Sequence, residues 1–94
     1  MYVTEEGAFK GLAAGIVLQA MEDYGMALLG QFKDAIKDRA IKEDCERFFK
    51  SDALSMYTKI PGETIMKKVQ ELVDNWPAGK KFDINSTMEG YTNV

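Results

Sequence analysis

A chain of 94 residues, 46% hydrophobic and 29% charged, has room for one domain with a modest core and lies outside the composition range of disordered chains. Fifteen acidic residues against twelve basic ones, interspersed along the chain, give a net charge of −3; this lacks the basic excess of a non-specific nucleic-acid binder and is too mild for a mimic of DNA. One cysteine, Cys45, and no histidine exclude intrachain disulfides, the usual Cys/His zinc sites and imidazole acid–base chemistry.

The start of the chain, with Glu5 and Glu6, is acidic where a signal peptide is basic. The longest apolar run, 12–18, is interrupted by Gly15 and is too short to span a bilayer, so a cytoplasmic location is expected, with no membrane partner. Thr4 followed by two carboxylates reads as a helix start, because a threonine oxygen accepts from orphan amides and negative charge suits the positive end of a helix. Phe9, Leu12, Ala13, Ile16, Ala20, Ala27 and Leu28 then recur near one stripe. The expectation is a long first helix over about 5–31, bent near Gly25 or Gly30.

The stretch 32–39 holds neither proline nor a turn dipeptide, and a turn is expected within it. A second helix follows with Ile36, Ala40, Ile41, Cys45, Phe48 and Phe49 inside, Lys37, Glu43, Asp44, Glu46 and Arg47 outside, and an end near Lys50. Glu43 and Arg47, four apart, are spaced for a weak surface pair. Ser51-Asp52 signals a cap and a short helix over 52–57 that buries Leu54 and one of Met56 or Tyr57. Pro61 opens the last helix, over about 62–75, because proline at a helix start loses no hydrogen bond. Its buried stripe is Ile65, Val69, Leu72, Val73 and Trp76, and Pro77 stops it.

The fold class expected is therefore all-α: a small bundle of one long and two to three shorter helices, with a helical domain over 1–76. Residues 77–94 lose the helical period and form an irregular or short-strand tail. Phe82 and Ile84 alternate with polar residues there, as in an extended segment laid across a partner.

Chemistry-bearing patterns are few. Gly7, Gly11 and Gly15 form a strip on which a second backbone approaches closely, either within the chain or in a homodimer or higher oligomer. Arg47, Lys50, Ser51, Lys59 and Lys67 gather around two helix starts, where exposed amides and cations hold phosphate, so they are candidates for a partner or anion surface and for a phosphorylated nucleotide. The six methionines are read as core filler, with an adaptable binding face as the rival use. Cys45 reads as a buried small hydrophobe. Neighbouring carboxylates such as Glu22 and Asp23 diverge around a helix, so no catalytic pair, metal site or cofactor is expected, and the chain is read as a binding protein rather than an enzyme.

The run Asp44-Cys45-Glu46-Arg47-Phe48-Phe49-Lys50-Ser51-Asp52, then Thr58-Lys59-Ile60-Pro61-Gly62-Glu63, resembles a family of short proteins encoded by phages and prophages of Gram-positive bacteria. Gln19-Ala20 and Asp23-Tyr24 upstream are similar too, and the likeness covers most of 4–75. Where that family carries a Trp-Phe pair after Ser-Asp, this chain has Ala53-Leu54. The resemblance implies a viral accessory protein that acts in a bacterial host, by binding a host or phage protein. Inhibition of a bacterial defence system is the leading version. Sequestration of a phosphorylated nucleotide by an oligomer, and a replication or packaging role, are the alternatives.

Overall fold

The computed structural model describes residues 11–84, with side chains from residue 15 onward. Three α-helices run in the order α1 (Gly11–Leu28), α2 (Ala35–Lys50) and α3 (Gly62–Asp74), with a 3₁₀ helix, Asp52–Met56, between the second and third. Each pair of α-helices is in contact, and no strand occurs among the described residues. None of the described helices is long and apolar enough to cross a membrane.

The core gathers Val17, Met21 and Tyr24 from α1, Cys45 and Phe49 from α2, Leu54 from the 3₁₀ helix, and Ile65, Met66 and Val69 from α3. Spacings of four and three bring each set to one helix face. The α1 face differs from the expected one. Ile16 stands 38% exposed, while Val17 and Tyr24 have no exposed surface. Apolar residues of α1 stand at adjacent positions such as Ile16, Val17 and Leu18, so period alone does not select the buried face. Two methionines, Met21 and Met66, are core residues, whereas Met56 is 78% exposed and Tyr57 packs against the core in its place.

Helix α1 stops at Leu28, short of the expected end at 31, and a specific motif stops it. Gly30 adopts φ +69°. Its N–H donates to the Ala27 carbonyl and that of Gln31 to the Met26 carbonyl, which satisfies two of the last orphan acceptors in a Schellman arrangement. Asp34 then caps α2, its Oδ1 accepting from the N–H groups of Ile36 (3.0 Å) and Lys37 (3.2 Å). Asp38 reaches back to accept from the Phe32 N–H, which fixes the turn to the first turn of α2. So early a position leaves Ile36 beyond the core, 83% exposed, instead of on the inner face.

At the other end of α2, Ser51 does not cap the 3₁₀ helix with its side chain. Both its N–H and its hydroxyl donate to the Phe48 carbonyl, closing α2 at Lys50. Pro61 precedes α3, and Gly62 lies against the Phe49 carbonyl so closely that a Cβ there would collide with its oxygen.

Of the tail expected over 77–94, residues 85–94 lie outside the described residues, and in the described part Phe82 and Ile84 join this chain's own core. Phe82 and Ile84 are each 1% exposed. The Phe82 ring occupies a notch over Gly25 and meets Trp76 at 4.7 Å between ring centres. Gln31 ties the segment down, its amide nitrogen donating to the Lys80 carbonyl and its amide oxygen accepting from the Phe82 N–H, both at 2.9 Å. The alternation of Phe82 and Ile84 is thus real, but it arises in an irregular segment and not in a strand. Phe82 and Ile84 therefore belong to the same core as the helices.

Candidate functional site

Between α1 and α2 lies an open groove of about 280 Å³, lined by Ile16, Gln19, Ala20, Asp23, Asp44, Cys45 and Phe48. Helix spacing builds it: Ile16, Ala20 and Asp23 follow one another along α1 at intervals of four and three, and Asp44, Cys45 and Phe48 share the facing side of α2. Its floor is apolar and its rim is acidic. Gln19 donates to Asp23 at 3.0 Å, and Asp44 holds Arg47 at 2.7 Å, in place of the Glu43 pair that the spacing of four suggests.

The acidic rim is felt at Cys45. Burial first, then the charges of Asp23, Asp44 and Glu46, push its thiol up to about 12, so it is a neutral side chain at pH 7 with no thiolate reactivity. Helical period places Cys45 inside, and it treats Ile16 and Asp23 separately. Their meeting is invisible to it, because that depends on how α1 crosses α2.

Behind the groove a polar chain joins all three helices. Tyr24, fully buried, donates to Glu46 at 3.0 Å and accepts from Gln70 at 2.9 Å, while Lys42 pairs with Glu46 at 3.1 Å. Burial raises the Tyr24 hydroxyl above its ordinary value, with Gln70 opposing and Glu46 adding to the rise. For Glu46 burial alone would raise the carboxyl, but Lys42 and the Tyr24 hydroxyl outweigh it and hold it below its ordinary range. A carboxyl whose pKa is lower folded than unfolded adds stability above the unfolded value and loses it as pH falls through the folded one. Acid titration of the melting temperature should therefore show a limb in and below the ordinary carboxylate range that Glu46→Gln flattens; an unchanged limb would remove Glu46 as its source.

Gly7 lies outside the described residues, Gly11 starts the described part of α1, and Gly15 is exposed, with no described atom within 4 Å of a Cβ built on it. Arg47 is engaged by Asp44, Ser51 by Phe48, and Lys50, Lys59 and Lys67 are exposed. At the start of α3 Glu63 stands in the first turn, where its charge meets the positive helix end from within the chain. Among the described residues no group of three or more Cys, Asp or Glu side chains is placed to hold a metal ion.

No family model, curated protein or solved structure matches this chain. The run from Asp44 to Asp52 forms the last two turns of α2, the Ser51 closure and the start of the 3₁₀ helix, and its Cys45 and Phe48 line the groove.

Proposed function

We propose that this chain is a small helical binding protein that docks a partner protein in the α1/α2 groove. The observation that carries this reading is an apolar floor in which Ile16, Ala20 and Phe48 keep exposed surface beside the buried Cys45, beneath the carboxylates of Asp23 and Asp44. An amphipathic helix with an apolar stripe flanked by Lys or Arg complements such a groove, because the stripe supplies buried area and the cations meet the rim. The Cys45 to Asp52 motif supplies the setting: a phage or prophage product in the cytoplasm of a bacterial host, with a host protein as partner and a component of a defence system as the leading candidate.

The test uses matched baits. Wild type and an Ile16→Lys variant, which places a cation at an already exposed position, are used to capture proteins from the bacterial host. A partner held by wild type, lost from Ile16→Lys at unchanged melting temperature, and released by salt supports the reading. A partner held equally by both baits, or none at all, overturns it.

A further inference from the structure

A second cleft, of about 610 Å³, shares no residue with the groove and has different chemistry. It opens between the α1–α2 turn and the segment after α3, and is lined by Met26, Leu29, Gly30, Gln31, Lys33, Gly79 and Lys81. Its volume is of the size that holds small molecules. Met26 and Leu29 are half-buried and supply an apolar wall. The ammonium groups of Lys33 and Lys81 have no carboxylate of the described residues within ion-pair distance, and the amide of Gln31 is already spent on Lys80 and Phe82. The nearby acid, Asp38, accepts from the Phe32 N–H through Oδ1, while its Oδ2 lies 3.8 Å from the Cβ position of Gly30. Lys33 is held at φ +61°, a left-handed conformation uncommon for a lysine, by the turn that Gly30 and Asp34 fix.

From this arrangement we infer that the cleft binds an organic phosphate monoester with a flat apolar body, the phosphate between Lys33 and Lys81 and the body on Met26 and Leu29. Two such cations match the charge of about −1.5 to −2 on this phosphate near pH 7. The wall matches a planar ring, since a methionine sulfur and an aromatic face attract one another. Glycine at 30 and 79 adds no side chain of its own to the lining, which leaves more of the Met26 and Leu29 wall open to the body. Neither half suffices: an inorganic ion leaves Met26 and Leu29 uncovered, and a neutral ring leaves both ammoniums unmatched.

The probes are adenosine monophosphate and phenyl phosphate, compared with adenosine, phenol and inorganic phosphate, followed by calorimetry and by NMR signals of Gly30, Gly79 and the Met26 methyl. At least one monoester should bind about tenfold or more tighter than its ring or phosphate alone and move those signals. Lys33→Gln/Lys81→Gln should lose about tenfold or more of that affinity while keeping the wild-type circular dichroism, and Lys50→Gln/Lys67→Gln should lose none. No binding of either monoester at millimolar concentration, affinity no better than inorganic phosphate, retention in the Lys33/Lys81 variant, or loss in the Lys50/Lys67 variant would each overturn the assignment.

Discussion

Replacing Gly62 by alanine is expected to destabilise the fold by about 3 kcal/mol, the upper end of what overpacking a core costs. The added Cβ would collide with the Phe49 carbonyl oxygen and approach the Leu54 side chain to 3.2 Å. A side chain could swing aside, but the obstructing atom belongs to the backbone at the end of α2, so relief requires α3 to move away from α2. That movement would loosen Phe49, Leu54 and Ile65, all buried at this junction. In a domain of this size the melting temperature should fall by roughly 10 to 20 °C. Gly15→Ala provides the contrast: no described atom lies within 4 Å of the new methyl, and alanine in an exposed helix should stabilise by about 0.5–1 kcal/mol. Denaturation of both variants measures the pair, and equal effects would show that neither environment is as described. Size measurement on Gly15→Ala also addresses the glycine strip, since a dimer built on close approach at Gly15 would dissociate instead of gaining stability.

These glycines show where sequence is informative and where it stops. Signals that act within a few residues are legible: Pro61 starting α3, Pro77 ending it within a few residues of the structure's own end, and the break of α2 at Lys50. The turn before α2 is legible in principle, because Gly30 stands four residues before the Asp34 cap; the expected turn falls slightly late because no proline or turn dipeptide marks the place. Why Gly62 must be glycine is not legible, since the reason is a carbonyl from a different helix. The same holds for the candidate site. Cys45 is assigned to an inner face by period, yet the groove it floors exists only through the crossing with Ile16 and Ala20. The cleft that Lys33 and Lys81 line is likewise not legible, because the two lysines come from distant parts of the chain.

Truncation at Phe82 should be as damaging as the change at Gly62. Phe82→Ala removes a ring that is 1% exposed, leaves a void above Gly25 and strips one face of Trp76. Phenylalanine-to-alanine changes in cores cost about 3–5 kcal/mol, part lost transfer energy and part cavity. Ending the chain at residue 76 should cost more, since Ile84 goes too and Gln31 loses both the Lys80 carbonyl and the Phe82 N–H. A division into a self-sufficient domain over 1–76 and a dispensable tail predicts the reverse, a shortened chain that melts as wild type does. A double-mutant cycle then isolates the ring-in-notch contact from general loss of hydrophobicity. Gly25→Ala alone forces a methyl into the Phe82 ring, whereas in the Phe82→Ala background the same methyl enters space the ring has vacated. The two changes should therefore cost less together than the sum of their separate costs, by about 1 kcal/mol or more. Strict additivity would mean that Phe82 does not sit over Gly25 and that the segment after α3 is not held to the core by this contact.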